Sequence, residues 1–241
     1  MSDTEQPAER SGRMNKARKN ITYMLFFSII MFFAGLTSAY LVSKGGATYW
    51  VTFRIPAPFW WSTLFIVASS ATIHMALTQA RKDRKSAVGP WVAATLALGL
   101  CFSYSQFKGW SQLFDDGYAL VSRLKTLHGN YGTDYTVQRL GQTLVKQGDE
   151  YFLPEDTGFE HPLNPEMGET FNAASSYFYV LTYSHFAHLV GGLVALLVMT
   201  FKAFRSRYGE TDHQGLWAGT WYWHFLAGLW VYLLLFLAYV H

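Results

Sequence analysis

Five long apolar runs, separated by polar segments, set the hydrophobic pattern of this chain. They cover residues 21–42, 59–80, 89–107, 177–201 and 216–241, and none of them contains Asp, Glu, Lys or Arg. An α-helix rises about 1.5 Å per residue, so runs of this length match a hydrocarbon layer about 30 Å thick. The pattern predicts an all-α, multi-pass membrane bundle of five transmembrane helices. We expect one membrane domain, with helices 1–3 in residues 21–107 and helices 4 and 5 in residues 177–241.

The first 20 residues are polar and end in a basic flank, so we expect a disordered basic N-terminal tail over residues 1–20. A basic flank before an apolar run is also typical of a signal peptide. Here the apolar run covers residues 21–42, which is longer than the roughly 7–15 residues of a signal core. The length therefore favours a first transmembrane helix.

Residues 108–176 form a polar insert between the third and fourth predicted helices, and we call this segment the insert. Seven acidic residues lie between Asp149 and Glu169. Two stretches, 135–145 and 151–153, resemble strands on either side of the turn at Gly148-Asp149. We expect a small folded cap or hairpin here, with a disordered loop as the alternative.

The charged residues predict an orientation for the five helices. The N-terminal tail and the loops after helices 2 and 4 hold 12 of the 19 Lys and Arg residues but 6 of the 16 acids. Short basic loops stay cytoplasmic. We therefore expect a cytoplasmic N-terminus, with the insert and the C-terminus outside.

Composition narrows the classes of function. The chain is 51% hydrophobic and 18% aromatic, and its 15% of charged residues is well below the quarter of a soluble domain. A net charge of +3 is too small to argue for nucleic acid, so no nucleic-acid partner is expected. The one cysteine, Cys101, excludes an internal disulfide and is expected to be a small buried side chain. A small carrier is disfavoured, because ion and proton paths usually contain intramembrane charged residues.

Four histidines fall within the predicted helices: His74, His185, His188 and His224. His185 and His188 are three residues apart and share a helix face. Imidazole can ligate haem or copper, but no Cys or carboxylate lies close in sequence to complete a metal site. We expect no catalytic or metal-ligating residue in this chain. We interpret the four histidines, with Trp221 and Trp223, as candidate structural or lipid-contact residues.

Small residues recur at a spacing of four, which lets helix backbones approach closely within a membrane. Helix 4 carries Ala187, Gly191 and Ala195, and helix 3 carries Ala93 and Ala97. These residues are predicted to lie at helix–helix contacts.

Five stretches and one short loop together resemble subunit III of the haem–copper oxidases, the cytochrome c oxidase subunit III family. The most specific is Trp221-Tyr222-Trp223-His224-Phe225 followed by Gly228-Leu229-Trp230. Helix 4 adds Tyr183-Ser184-His185-Phe186-Ala187-His188-Leu189 and then Gly191-Gly192. Weaker similarities are Phe32-Phe33-Ala34-Gly35, Phe59-Trp60-Trp61-Ser62-Thr63 running to His74, Leu98-Gly99-Leu100 with Gln106, and His213-Gln214-Gly215. The tail and most of the insert are not covered.

The resemblance implies a five-helix form of a non-redox subunit of a proton-translocating terminal oxidase. This oxidase would serve aerobic respiratory electron transport in a bacterial inner (plasma) membrane. It implies that haem and copper belong to the catalytic subunit I, and that this chain binds no such cofactor itself. It also implies partners, subunit I and subunit II, together with phospholipid binding and support of proton uptake. A c-type cytochrome or an accessory subunit is a further candidate partner for residues 108–176.

Two positions depart from the family pattern, since Ile29 and Trp217 stand where many members have a carboxylate. The roles of those carboxylates therefore cannot be transferred to this chain. Two alternatives stay open. One is an accessory subunit of a quinol oxidase or nitric oxide reductase, and the other is a stand-alone b-type membrane cytochrome.

Overall fold

A computed structural model describes residues 7–209 and 214–240. Predictions that concern residues 1–6, His213 and His241 lie outside this part of the chain. In chain order the elements are α1 (Pro7–Gly46), β1 (Tyr49–Phe53), α2 (Ala57–Arg81), α3 (Lys85–Asp115), β2 (Tyr135–Arg139), β3 (Gln142–Thr143), β4 (Val145–Gln147), β5 (Glu150–Phe152), α4 (Asn164–Met167), α5 (Ala173–Phe204) and α6 (Gln214–Tyr239).

The five long helices, α1, α2, α3, α5 and α6, are all long and apolar enough to cross a membrane. This confirms the predicted all-α, multi-pass bundle. Many of their large apolar side chains face outward, as lipid contact requires; Met24 is 71% exposed and Phe27 is 65% exposed.

Several helices extend beyond the apolar runs that predicted them. Residues 7–20 continue α1 as helix, where the sequence suggested a disordered tail. Helix α3 continues to Asp115 through the polar residues that follow Phe107. An apolar run indicates only the part of a helix that can lie in lipid. The helix itself continues as far as its backbone hydrogen bonds continue, so it can extend into the polar region.

Capping fixes where two helices meet the insert. Helix α3 ends in a Schellman motif, in which Tyr118 N–H donates to the Leu113 carbonyl at 2.8 Å and Gly117 N–H donates to the Phe114 carbonyl at 3.1 Å. Gly117 supplies the required left-handed conformation, with φ of +86°. At the start of α5, Asn172 Oδ1 accepts from the Ser175 N–H at 3.2 Å, which is the bond of an N-cap residue.

The insert is partly folded, as the sequence predicted, but its main strand has a partner that the sequence did not reveal. Strand β2 pairs antiparallel with β1 from the connection between α1 and α2, in the register Tyr49↔Arg139 to Phe53↔Tyr135. Strand β3 adds to the other edge of β2. Strands β4 and β5 form a separate hairpin around Gly148, which has φ of +63° and therefore suits the turn.

The chain divides into two compact units. The first comprises Met1–Ala34, Leu64–Phe102 and Ala187–Leu229, and the second comprises Gly35–Thr63, Ser103–Phe186 and Trp230–His241. The first unit has a buried core that includes Trp223, Leu189, Ile73 and Phe33.

The second unit is rich in aromatic contacts. The buried Tyr40 ring lies 5.2 Å from Trp50, 5.7 Å from Tyr177 and 5.2 Å from Phe236, centroid to centroid. Phe53 of β1 packs on Tyr118 at 4.4 Å and on Phe178 at 5.5 Å. Strand β1 is thereby part of the core of this unit.

Candidate functional site

Trp223 is the centre of packing in the first unit. Its side chain is 1% exposed, and its indole Nε1–H donates to the Ser69 hydroxyl at 2.8 Å. A Cβ on Gly99 would lie 2.9 Å from the indole, and a Cβ on Gly192 would lie 3.2 Å from it. Both glycines therefore make room for one ring, while Ser69 satisfies its only polar atom. We call Trp223, Ser69, Gly99 and Gly192 the tryptophan pocket.

In the tryptophan pocket, small residues make room for a large ring. The glycines that do so, Gly99 and Gly192, are not among the small residues predicted to lie at helix–helix contacts. Gly192 is buried, whereas the adjacent Gly191 is exposed. A Cβ added to Gly191 would lie 3.8 Å from the Tyr222 hydroxyl, which is an ordinary contact distance. Other predicted packing positions are more open: Ala187 and Ala97 are exposed, while Ala195 and Ala93 are half-buried. Cys101, expected to be buried, is also exposed.

His74 and His224 come together on one side of the first unit. Their ring centroids are 5.8 Å apart, and His224 Nδ1 is hydrogen-bonded to the Ser70 hydroxyl. The exposed Trp221 packs edge-on against His224 at 6.1 Å. His74 is exposed, so this histidine pair lies on a surface that is available to a neighbour or to lipid.

The other two predicted histidines occupy different units despite their spacing of three residues. In the first unit the His188 ring lies 5.7 Å from Phe33, and its backbone carbonyl accepts from the Tyr222 hydroxyl at 3.0 Å. In the second unit His185 is fully buried, 5.2 Å from the Trp230 ring. Trp230 Nε1–H in turn donates to the Thr63 hydroxyl at 3.0 Å.

Buried hydroxyl and amide groups on the helices were missed by the sequence reasoning. Gln106 donates through Nε2 to the Ser62 hydroxyl at 2.7 Å, and Trp110 donates to the Thr182 hydroxyl at 3.2 Å. The signal that could have found them is the presence of Gln, Ser and Thr within apolar runs. Buried polar groups need partners, so such residues predict contacts between helices.

The two positions that depart from the family pattern have distinct surroundings. Ile29 is 4% exposed and belongs to the buried core. Trp217 receives the Lys19 ammonium over its ring, with Nζ 5.3 Å from the centroid, and Trp221 lies 6.4 Å away. Lys19 therefore has a cation–π partner at a position where a carboxylate would have offered an ion pair.

Within residues 7–209 and 214–240, no three His, Cys, Asp or Glu side chains are arranged to hold a metal ion. The four histidines of the long helices, His74, His185, His188 and His224, instead pack against other rings, and His224 also bonds to a hydroxyl group. The arrangement suits helix packing and contact with a neighbouring surface.

These helices and contacts define an all-α, multi-pass membrane protein. A sequence model of the family Cytochrome c oxidase subunit III matches residues 170–241, which include α5, α6 and the tryptophan pocket residues Gly192 and Trp223. The chain is 23% identical over 222 residues to the cytochrome c oxidase subunit 3 of Synechocystis sp., covering 86% of this chain and 72% of that protein.

Two further relatives carry similar descriptions. The probable cytochrome c oxidase subunit 3 of Nocardia farcinica is 23% identical over 217 residues, covering 87% of this chain and 81% of that protein. Cytochrome c oxidase subunit 3 of Pylaiella littoralis is 33% identical over 78 residues, which are 32% of this chain and 28% of that protein. The chain is thus similar to cytochrome c oxidase subunit III over residues 170–241 by the family model, and over most of its length to two proteins of that description.

Proposed function

We propose that this chain, a subunit III of a terminal oxidase, has no redox centre of its own and supports the catalytic subunit. The observation that carries this proposal is the tryptophan pocket. The family match includes its α5 and α6 residues, and the pocket uses a large aromatic side chain for packing rather than for chemistry. Haem and copper would belong to the catalytic subunit I, with subunit II as a further partner.

Lipid binding and support of proton uptake belong to the same proposal. The exposed apolar side chains of the five helices provide a surface for membrane phospholipid. The histidine pair His74–His224 offers polar groups on such a surface, where an imidazole is costly without a partner. These two histidines are therefore the side chains that we expect to contact a lipid headgroup or a neighbouring helix.

The proposed location is a bacterial inner membrane, with the N-terminus cytoplasmic and both the insert and the C-terminus outside. The distribution of Lys and Arg supports this orientation. In this arrangement the folded part of the insert would face a c-type cytochrome or an accessory subunit.

Several acids of the insert are already engaged, which narrows the surface left for a basic partner. Glu169 pairs with Arg123 and with Lys125 Nζ at 2.6 Å, and these contacts hold the pKa of its carboxyl below the usual value. Glu166 lies 3.3 Å from Arg139. Asp149, Glu150 and Glu160 are among the described acids of the insert that make no ion pair, so they are available to a partner.

The test of the main proposal is what co-purifies with a tagged copy of the full chain under mild detergent. We expect a large partner that contains haem and copper and oxidises reduced cytochrome c. Stoichiometric haem on the isolated chain would overturn the proposal and favour a b-type cytochrome. Activity with quinol in place of cytochrome c would favour the alternative oxidase class.

The test of the insert uses the triple variant Asp149→Asn, Glu150→Gln and Glu160→Gln. We expect it to retain less c-type cytochrome or accessory subunit at low salt, and to lose less on adding salt than the wild type does, because the attraction that salt screens has been removed. The control is the charge-conserving set Asp149→Glu, Glu150→Asp and Glu160→Asp. Equal retention in both variants would contradict a role for these acids.

A further inference from the structure

Residues 119–124, which follow the end of α3, lie antiparallel to the residues at the start of α5. Leu124 N–H donates to the Thr170 carbonyl at 3.1 Å, and Asn172 N–H donates to the Ser122 carbonyl at 2.9 Å. These two bonds hold this part of the insert against the end of a helix that is long and apolar enough to cross a membrane. The insert is therefore fixed at a defined height on α5.

Two serine hydroxyls in the first turn of α5 set that height. Ser175 Oγ donates to the Ala119 carbonyl and Ser176 Oγ donates to the Leu120 carbonyl, each at 2.6 Å. Ser176 directly precedes the apolar run of residues 177–201. Leu120 therefore lies where α5 leaves the apolar part of the membrane and enters the headgroup region.

Three large apolar side chains are exposed near this height. Leu120 is 43% exposed, Val121 is 76% exposed and Phe171 is 49% exposed. An antiparallel bridge pairs Phe171 with Arg123, so these two side chains lie on one face. Val121 precedes the extended Arg123 by two residues and shares that face. We call Leu120, Val121 and Phe171 the apolar rim.

The apolar rim continues the lipid-facing stripe of α5. Val180 and Tyr183 are exposed on this stripe, and Ser176 lies one turn before Val180 on the same side of the helix. Four helical residues rise about 6 Å. The headgroup region adds about 5–8 Å on each side of the hydrocarbon core, and aromatic side chains such as Tyr183 concentrate at this boundary. Leu120, which is bonded to Ser176, is thus at the height of the headgroups.

Charged side chains follow the apolar rim on the side away from α5. Arg123 and Lys125 come after Val121 in the sequence, and both contact the Glu169 carboxylate, which precedes Phe171 by two residues. The surface therefore changes from apolar to charged with increasing distance from the helix. This order is typical of a segment that lies in a membrane interface, with its apolar side chains at the boundary between acyl chains and headgroups.

We propose that the apolar rim inserts into the headgroup layer of the bilayer, with phospholipid as its occupant. The insert then lies against the membrane surface at the start of α5, although most of its sequence is polar. This contact goes beyond the proposed function, and it requires only the membrane-spanning fold. It is the same whether or not the chain assembles with a catalytic subunit.

The first arm of the test uses the full chain alone, with Cys101→Ser and Val121→Cys, labelled with an environment-sensitive fluorophore. The protein is placed in phosphatidylcholine vesicles in which some lipids carry a nitroxide quencher at the top of the acyl chain. We expect the label at position 121 to lose most of its fluorescence, because the rim lies within reach of that quencher. Phe171→Cys, labelled in the same way, should give the same result, since the two side chains share a face.

Two further label positions calibrate this measurement. Val180→Cys lies on the lipid-facing stripe and should be quenched, whereas Gln147→Cys is exposed in the polar turn between β4 and β5 and should keep its fluorescence. Labels at positions 121 and 171 that behave like the label at position 147, while the label at position 180 is quenched, would overturn the proposal.

The second arm places the same Val121→Cys label in the purified complex, again in vesicles with the nitroxide lipid. Quenching equal to that of the chain alone would support the proposal. Loss of the quenching, with cross-linking of position 121 to another polypeptide, would assign the rim to a protein partner and overturn the proposal. If no complex forms, the proposed function fails, and the vesicle measurement on the chain alone still decides the occupant of the rim.

Discussion

The indole of Trp223 occupies space that two glycines leave open, and its one polar atom is bonded to Ser69. The stability of this packing should therefore fall both when the Trp223 side chain is made smaller and when a glycine beside it is made larger. Removing the N–H leaves a serine without its donor, and adding a methyl group beside the ring creates overlap.

The substitution Trp223→Phe should lower the free energy of unfolding by about 1–3 kcal/mol, because it removes a buried hydrogen bond and leaves a cavity. Thermal unfolding of the detergent-solubilised protein is the measurement. Trp221→Phe is the matched control, since Trp221 is 49% exposed and its loss should have little effect. An equal loss of stability in both variants would show that Trp223 has no special packing role.

Gly99→Ala tests the space itself. The new Cβ would lie 2.9 Å from both Trp223 and Leu193, and overpacking of this kind costs about 1–3 kcal/mol. Gly35→Ala is the control, because a Cβ there meets nothing within 4 Å and alanine favours helix. We expect the midpoint of thermal unfolding to fall for Gly99→Ala and to stay or rise for Gly35→Ala. The opposite order would mean that the glycine does not make room for the indole.

At the scale of elements, the junction between α3 and the insert depends on a single backbone conformation. Gly117 lies at φ of +86° and approaches the Thr126 carbonyl so closely that no side chain fits. Changes at this glycine should therefore disturb the insert before they disturb the helices.

Gly117→Ala should destabilise the protein by more than about 1 kcal/mol, since a left-handed conformation and a backbone clash act together. Gly141→Ala separates the two effects, because Gly141 has φ of +85° but nothing within 4 Å of its Cβ. Limited proteolysis of the insert, read alongside thermal unfolding, is the measurement. If both variants were cleaved at the same rate, the clash with Thr126 would be unimportant.

The ion pairs of Glu169 give the insert a pH dependence. Its pKa is lowered, first by the Lys125 hydrogen bond and then by the Arg123 charge. A lowered carboxyl pKa contributes stability above the unfolded value of 4.5, and this is lost as pH falls through the folded value.

The difference in proteolytic stability between wild type and Glu169→Gln should therefore be largest near pH 7 and shrink as the pH falls below about 5. Glu160→Gln removes one charge from the insert without removing an ion pair, so its difference from wild type should stay small throughout. A Glu169→Gln effect that did not change with pH would contradict the assignment.

For the whole molecule, apolar run length was enough to predict the five crossings and their order. It could not predict that β1 pairs with β2, because the two strands are separated by two entire helices and no local pattern links Val51 to Val137. The spacing of small residues indicated close packing on α5 at Gly191, whereas it is Gly192 that lies against the Trp223 ring. The position of that ring, which spacing along the sequence does not reveal, determines which glycine has no room for a Cβ. The burial of His185 and the partial exposure of His188 likewise depend on the neighbouring helices, which no local pattern identifies.

The pairing of β1 with β2 has a consequence for how the polypeptide is made. Residues 49–53 leave the ribosome well before residues 135–139, so β1 must wait with its backbone groups unpaired while α2 and α3 are inserted. Sheets formed between distant segments are slow to assemble. Biogenesis therefore includes an interval during synthesis in which the backbone N–H and C=O groups of β1 lack their partners on β2.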